Sequence, residues 1–225
     1  MLKSPRNEGE LQKREAIGVI RASRFVRRFA HSHKIITFQT VCQIHKEIFK
    51  DAWSEIAGKY REENLEISDS KHLPPHYLEV PKKMREAEHI FVEKLATVKP
   101  VEGLLLLTEI NDQMLGIIHQ VVSLAGWLHY TITFIHPFRE GNGRTARLAA
   151  NLILERYGLT GISIRIEKEN KNRYRKALAQ IDQQEDYEPL ESLIFEGLIE
   201  RYKGVEMKYY TCQTIAFQNK VGGKP

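Results

Sequence analysis

The fold of this chain is decided by the stretch LGIIHQVVSLAGWLHYTITFIHPFREGNGRTAR, residues 115–147. Residues 115–135 are the most apolar part of the sequence, yet polar residues such as His119, Gln120 and His129 interrupt them. A membrane span needs about 20 residues with few such interruptions, so the pattern predicts a buried central helix instead. Because Pro137 disfavours helical backbone for the residue before it, this helix is expected to stop at about His136.

Helical periodicity also dominates the rest of the chain, which indicates an all-α fold class. We expect helices at about 9–30, 38–57, 81–97, 108–134, 143–157, 168–183 and 186–202. The segment 61–80 lacks the helical period and contains Pro74 and Pro75, so it is predicted to be a loop with a short hairpin around residues 65–67. A β-prone run at 209–217 lies in a tail that is expected to fray.

Composition points to one soluble globular domain. The chain has 225 residues, of which 42% are hydrophobic and 28% are charged. Its two cysteines, Cys42 and Cys212, have neither CxxC nor Cys/His spacing, which argues against a disulfide framework or a zinc site. No secretory signal follows Met1, so we expect a cytoplasmic location. The net charge of +5 owes much to basic residues in 13–28, whose helical spacing is more typical of a solvated helix face than of a nucleic-acid contact.

The turn after the central helix combines groups that bind phosphate. Gly141 and Gly143 permit backbone angles and close approaches that a Cβ resists, and Asn142 tolerates the left-handed region. Free amides in such a turn, added to the N-terminus of the following helix, form an anion site suited to phosphate. Arg144 and Arg147 are three residues apart, so they share a helix face and add donors for the same anion.

Two further residues of this turn supply chemistry. Glu140 precedes the glycines, and one or two carboxylates completed by substrate phosphates and water are typical of bound Mg²⁺. His136 is the only group in the loop that can accept a proton near neutral pH. Each of these residues alone is more often structural, as a cap, a turn or a solvated face, and Phe138 is interpreted as a core anchor. Together they indicate attack by a hydroxyl on a nucleotide phosphate.

These residues resemble the signature of the Fic family, H-x-F-x-(D/E)-G-N-G-R-x-x-R, without a gap. The resemblance implies a Fic-fold helical bundle with a short β-hairpin flap over the active site. It also implies a protein adenylyltransferase that uses ATP and Mg²⁺ to move AMP onto a Ser, Thr or Tyr hydroxyl of a target protein. His136 would be the catalytic base and Glu140 the Mg²⁺ ligand. The nucleotide-binding residues of the motif would be Gly141, Asn142, Gly143, Arg144 and Arg147.

The resemblance extends beyond the motif. Ser70, Lys71 and His72 fall in a segment, 69–76, that looks like the family's flap, which covers the nucleotide and pairs with the target's main chain. Tyr174 lies in a stretch that resembles a helix lining the base pocket. For Tyr174 and for His45, packing with a satisfied polar tip is an equally good interpretation.

An inhibitory pattern stands near the start of the chain. Many Fic proteins carry (S/T)-x-x-x-E-(G/N) on a helix, and residues 4–9, SPRNEG, match it. The resemblance implies that Glu8 pairs with Arg147, keeps basal activity low and can position a water for AMP removal. The pattern recurs at 192–197, where Glu196 is interpreted as part of a core helix. The chain then divides into an N-terminal helical segment 1–35, a Fic domain 36–205 and a tail 206–225.

Two alternatives stay open at this point. An enzyme of the same family can transfer another nucleotide, a phosphate or a phosphocholine, although the intact Gly-Asn-Gly-Arg favours AMP. A toxin–antitoxin or DNA-binding regulatory module is the other alternative, and no helix-turn-helix pattern supports it. The expected partners are therefore ATP and a hydroxyl-bearing protein, without membrane or nucleic acid. The oligomeric state is left open, a homo-oligomer included.

Overall fold

The computed structural model describes residues 5, 7–32, 34–67, 70, 72–99, 112–163 and 169–209. These residues form seven α-helices and a short 3-10 helix, Tyr77–Glu79, and none of them lies in a strand. The α-helices are α1 (Glu8–Ala30), α2 (Phe38–Phe49), α3 (Val80–Thr97), α4 (Asp112–Ile135), α5 (Asn142–Arg156), α6 (Glu169–Gln184) and α7 (Glu188–Tyr209). The all-α fold class is confirmed.

Two helix ends differ from the prediction. Helix α2 was expected to reach residue 57, but it ends at Phe49, because the amides of Ala52 and Trp53 both turn back to the Phe49 carbonyl at 3.0 and 2.7 Å. Helix α7 continues to Tyr209, past the predicted end at 202 and past the boundary drawn at 205. Of the β-prone run 209–217, residues 210–217 lie outside the described residues.

The hairpin expected around residues 65–67 is not found in the described part of this segment. Residues 64–67 and 72–76 have no regular secondary structure, and the Ser70 amide turns back to the Ile67 carbonyl at 3.1 Å. Pro74 and Pro75 cannot donate to a strand ladder, which disfavours pairing there. Residues 68, 69 and 71 lie outside the described residues.

Helices α4 and α5 form the centre of the core. Val121, Ala125, Leu128 and Ile132 follow one another at spacings of three or four on α4, and all are fully buried. The facing helix α5 is rich in alanine, with Ala146, Ala149 and Ala150 buried, and small side chains at a contact let two helices approach closely. Residues 121–135 are thus largely the buried central helix that was predicted, whereas residues 115–120 include exposed positions such as Leu115, at 51%.

No helix in the described ranges is long and apolar enough to cross a membrane.

Helix α1 packs on α2 and α5 through a stripe of small residues. Its buried positions, Gly18, Ala22, Val26 and Ala30, are spaced by four. At Gly18 the helix backbones nearly touch, since a Cβ there would lie 1.9 Å from the Ile48 carbonyl oxygen. The buried residues of α1 belong to the same cluster as those of α2, α4 and α5, so the segments 1–35 and 36–205 share one core.

Helices α6 and α7 close the other side of α4. Ala177, Ile181 and Leu190 form a small second cluster there. The Ser123 hydroxyl of α4 donates to the Glu191 carboxylate of α7 at 2.6 Å. Glu196, from the second copy of the inhibitory pattern, pairs with Arg173 on the protein surface.

Replacing Gly18 by Ala is expected to lower the free energy of unfolding by at least about 1–3 kcal/mol, since the added methyl group would overlap a backbone oxygen of α2. Urea denaturation measures this loss. Gly116→Ala is the matched control on α4, where nothing lies within 4 Å of the added Cβ, and it should raise stability by up to about 1 kcal/mol. Unchanged stability of the Gly18 variant would contradict the close contact of α1 and α2.

Candidate active site

His136, the first residue after α4, has an unusual backbone conformation. Its amide still donates to the Ile132 carbonyl at 3.0 Å, as in a helix. Its own φ is 51°, in the left-handed region, which costs about 1–2 kcal/mol for a residue with a Cβ. Pro137 prevents the helix from continuing. The predicted helix stop is therefore confirmed, and the chain turns sharply at the predicted base.

The imidazole of His136, the predicted base, is neutral. Its Nδ1 lies 3.3 Å from the Thr133 carbonyl oxygen. Because a carbonyl oxygen only accepts, Nδ1 carries the proton and Nε2 keeps its lone pair. Burial lowers the pKa of His136, and the positive charge of Arg61 lowers this pKa further. The ring is thus neutral at pH 7, and Nε2 has no hydrogen-bond partner within the described part of the chain.

Asn142 holds the turn closed from within. Its Oδ1 accepts from the Phe138 amide at 2.8 Å and its Nδ2 donates to the Phe138 carbonyl at 2.7 Å. The Phe138 ring is fully buried, as predicted for an anchor. Both polar atoms of the Asn142 side chain bind the backbone of Phe138, so this residue can contact a nucleotide only through its backbone amide.

Gly141 carries the left-handed conformation that the sequence analysis had associated with Asn142. Its φ is 77°, and a Cβ there would lie 2.3 Å from the Phe49 ring. Asn142 is instead the first residue of α5. The Gly141 carbonyl accepts the first helical hydrogen bond of α5, from the Thr145 amide at 2.9 Å.

The amides of residues 142–144 precede that first bond and are left without an acceptor among the described residues. Three such amides at the start of a 15-residue helix form a site for an anion. The backbone that the predicted phosphate cradle requires is therefore present, and binding of a phosphate there stays a prediction.

The two motif arginines differ in their surroundings. Arg147 is half-buried and lies against the glycine turn, since a Cβ on Gly143 would be 3.4 Å from its Nη1. Burial lowers the pKa of Arg147, and no carboxylate in the described ranges lies within ion-pair distance of it. Arg144 is engaged by two carboxylates, those of Glu15 at 2.6 Å and Glu140 at 3.1 Å. The cation available to an anion is therefore that of Arg147.

Glu140 lies at the open side of the turn. Its side chain is 55% exposed, and its Oε1 accepts from the Gly141 amide at 2.8 Å as well as from Arg144. Its carbonyl oxygen accepts from Nε2 of His45 at 3.0 Å.

His45 binds and packs against the buried side of the turn. Its Nδ1 accepts from the Gly58 amide at 2.9 Å, and its ring stacks on Phe138 with centroids 4.0 Å apart. Burial lowers the pKa of His45 to about 4, so the ring is neutral at pH 7. His45 thus packs with a satisfied polar tip, which was one of the two interpretations.

One of the predicted flap residues, His72, contacts α4 close to His136. Nε2 of His72 donates to the Phe134 carbonyl at 2.8 Å, and the two rings lie 4.5 Å apart. The Ser70 hydroxyl accepts from the His72 amide at 3.1 Å. Lys71 lies outside the described residues. His72 therefore contacts the last turn of α4, two residues before His136.

Tyr174 lies behind the cradle and contacts a residue that the sequence analysis missed. Its hydroxyl is 3.3 Å from Nε2 of His129, a fully buried residue whose Nδ1 has no partner in the described structure. Burial raises the pKa of Tyr174 to about 12 and lowers that of His129 to about 3. The charge of Arg147 acts on both groups. A role of Tyr174 toward the nucleotide base stays a prediction.

The carboxylate of α1 that reaches the motif is Glu15, which no sequence pattern marked. Glu8 is the first residue of α1, is exposed, and accepts from the Gln12 side chain at 3.3 Å. It lies seven residues before Glu15, about 10 Å along the helix axis. The structure therefore pairs Glu15 with Arg144, whereas the predicted pair of Glu8 with Arg147 is not among the ion pairs of the described residues.

Arg61 is a second residue of this site that the sequence analysis missed. It is 4% exposed, its Nε donates to the His136 carbonyl at 2.8 Å, and its amide donates to the Pro137 carbonyl at 2.8 Å. Nothing in the sequence pattern marked this arginine as buried, because these two acceptors lie in a segment that is distant along the chain.

Comparison with known proteins agrees with the motif. A family model described as Fic/DOC matches residues 35–154, just over half of the chain. Protein adenylyltransferase Fic of Nematostella vectensis is 30% identical over 158 residues, which cover 70% of this chain and 32% of that protein. Protein adenylyltransferase fic-1 of Caenorhabditis briggsae is 26% identical over 155 residues, covering 68% of this chain and 26% of that protein. The chain thus spans about a third or less of the length of these curated relatives.

A solved structure of Fic-1 from Caenorhabditis elegans shares the fold, with a TM-score of 0.64 at 24% identity. The match covers 94% of this chain and 56% of that one.

Asn142→Asp is expected to lower the free energy of unfolding by about 1–3 kcal/mol, because the donor to the Phe138 carbonyl is replaced by an oxygen in a buried position. Thermal or urea unfolding measures the change. Asn64→Asp is the matched control, since Asn64 only accepts, from the Tyr77 amide, and a carboxylate still accepts. Equal stability of the two variants would show that Asn142 does not hold the turn.

Proposed function

The chain belongs to the Fic/DOC family, and from this premise we propose that it is a protein adenylyltransferase. It transfers AMP from ATP to a Ser, Thr or Tyr hydroxyl of a target protein, itself included. The observation that carries the proposal is the presence of three free backbone amides and a neutral imidazole at the two ends of one short turn.

His136 acts as the general base. Nε2 takes the proton of the target hydroxyl while the hydroxyl oxygen forms a bond to the α-phosphorus. The bond from the α-phosphorus to the bridging oxygen breaks, and pyrophosphate leaves with that electron pair. The proton stays on Nε2, and the Thr133 carbonyl, which accepts from Nδ1, stabilises the resulting imidazolium.

The phosphates of ATP bind at the start of α5. The amides of residues 142–144 donate to phosphate oxygens, and the guanidinium of Arg147 supplies the positive charge. A partly buried cation that lacks a carboxylate is costly, so a bound phosphate relieves that cost. Arg144, held by Glu15 and Glu140, has fewer donors to offer while those pairs persist.

Glu140 fits a magnesium ion. Its carboxylate is more than half exposed, and its Oε1 is held by the Gly141 amide and by Arg144, which leaves Oε2 for a metal. Mg²⁺ typically takes one or two carboxylates and completes its shell with substrate phosphates and water. When bound, the ion neutralises phosphate charge during transfer.

A carboxylate on α1 restrains the activity in this proposal. The sequence pattern names Glu8, and the ion pair with Arg144 supports Glu15. A guanidinium held by carboxylates offers fewer donors to phosphate, so breaking the pair frees one. The same carboxylate would orient a water molecule for AMP removal, in which water replaces the protein hydroxyl as the nucleophile.

The basic residues of α1 do not favour a nucleic-acid module. Arg14 pairs with Glu10 at 2.5 Å, and Arg21 pairs with Glu47 and Asp51. Part of the positive charge of α1 is therefore neutralised within the protein itself.

His136→Ala is expected to reduce AMP transfer by about 10²–10⁴-fold, because the hydroxyl loses its proton acceptor. The chain is incubated with Mg²⁺, lysate protein and ATP, GTP, CTP, UTP or CDP-choline in turn, and the mass added to any protein is measured. His89→Ala, on the exposed side of α3, is the matched histidine control and should act like the parent. A mass gain other than AMP, or an active His136 variant, would contradict the proposal.

Glu15→Gln is expected to raise AMP transfer about 5- to 150-fold. This corresponds to a coupling of about 1–3 kcal/mol between the inhibitory carboxylate and the phosphate site. Glu8→Gln is the matched control on the same helix and should leave the rate unchanged. A rise in the Glu8 variant alone would favour the sequence pattern over the observed ion pair. If neither variant transfers AMP faster than the parent, neither of these α1 carboxylates inhibits the enzyme, and this part of the proposal is wrong.

A further inference from the structure

The guanidinium of Arg61 is buried and bound by backbone carbonyls. Its Nε donates to the His136 carbonyl at 2.8 Å, its Nη1 to the Glu63 carbonyl at 2.9 Å and its Nη2 to the Pro75 carbonyl at 2.5 Å. Its own amide donates to the Pro137 carbonyl at 2.8 Å. No carboxylate in the described ranges forms an ion pair with it.

Burial of a charged arginine without a carboxylate partner costs free energy. Burial lowers the pKa of Arg61, which shows that the charged form is desolvated. An arginine that only capped a turn could remain at the surface at lower cost, because long charged side chains keep their heads in water. We infer from this burial that the site requires a planar group that donates to three carbonyls at once.

On one side, Arg61 fixes the backbone of the catalytic turn. His136 has a left-handed φ of 51°, and the peptide planes that follow it carry the carbonyls of His136 and Pro137. Both carbonyls accept from Arg61, so rotation of either plane would break a hydrogen bond. Arg61 thus stabilises the conformation that sets the direction of the His136 imidazole.

On the other side, Arg61 binds near both ends of a segment whose described residues 62–67 and 72–76 are here named the covering segment. Glu63 stands near its start and Pro75 near its end, and one guanidinium binds the carbonyls of both. Within the same segment, His72 donates to α4 beside the base. One side chain therefore joins the covering segment to the backbone of His136.

The charge of Arg61 also acts on His136. Burial is the largest cause that lowers the pKa of His136, and the positive charge of Arg61 adds to it. The Thr133 carbonyl and Glu140 oppose these effects. Removing the Arg61 cation should therefore raise the pKa of His136, since an imidazolium no longer meets a like charge.

We propose that Arg61 is a positioning residue that holds His136 in its left-handed, catalytically aligned conformation and couples that conformation to the covering segment. This inference rests on the proposed function for its catalytic meaning, whereas its structural content is independent of AMP transfer.

The test compares Arg61→Met and Arg61→Lys with the parent, using the full chain without nucleotide. NMR titration of the His136 ring should show a raised pKa in the Met variant, which lacks charge and donors, and a pKa nearer the parent in the Lys variant, which keeps the charge. Hydrogen exchange in the covering segment should be faster in both variants, since one amine cannot span three carbonyls. Arg156→Met is the matched control, because Arg156 also donates to backbone carbonyls, those of Phe29 and Ala30, but lies at the opposite end of α5.

AMP transfer gives the catalytic readout. In both variants kcat should fall about 10- to 100-fold while KM for ATP changes little, because the cradle at 142–144 is untouched and only the base is misplaced. Methylguanidinium should partly restore kcat in Arg61→Ala, and methylammonium should restore less.

Three results separate the outcomes. An unchanged His136 pKa together with unchanged exchange in the covering segment of a folded Arg61→Met protein overturns the inference, even if activity is lost. If that protein does not fold, the Lys variant decides by its exchange and its kcat. If the parent itself transfers no AMP, the proposed function fails, and the titration and exchange data still decide the role of Arg61.

Discussion

Hydrogen bonds from side chains to backbone carbonyls hold the turn between α4 and α5, and the rest of the site depends on them. Arg61, Asn142 and His45 each donate to a different carbonyl in residues 136–140. These donors all come from buried side chains, so the turn is fixed from the protein side. Because side chains donate to these carbonyls, the carbonyls do not pair with the amides at the start of α5, and those amides remain free to bind a ligand.

The same burial gives the turn its chemical character. Solvent exclusion keeps the His136 ring neutral and so able to accept a proton. It also strengthens the attraction between Arg147 and an incoming phosphate, since charges interact more strongly where water is scarce. A neutral imidazole and three free amides therefore lie in one turn, although the Glu140 carboxylate between them opposes the lowering of the His136 pKa.

The sequence was informative wherever the pattern is local. Helix α4 could be predicted from its apolar run and from Pro137, and the cradle from Gly141, Gly143 and the following helix. Contacts between distant segments could not be predicted. The pair of Glu15 with Arg144 joins residues 129 positions apart and exists because α1 packs on α5 through small residues. The buried state of Arg61 likewise depends on carbonyls that only the folded chain brings together. Even within the turn, the left-handed residues are His136 and Gly141, whereas Asn142 begins the helix.

In the proposed function this turn receives the phosphates of ATP, and the His136 imidazole faces the innermost one. A crystal structure of the chain with Mg²⁺ and an ATP analogue that resists cleavage between the α- and β-phosphates tests it most directly. The account predicts phosphate oxygens within hydrogen-bond distance of the amides of 142–144 and of Arg147, and Nε2 of His136 facing the α-phosphorus. A nucleotide bound elsewhere, or an imidazole turned away from that phosphorus, would contradict the account.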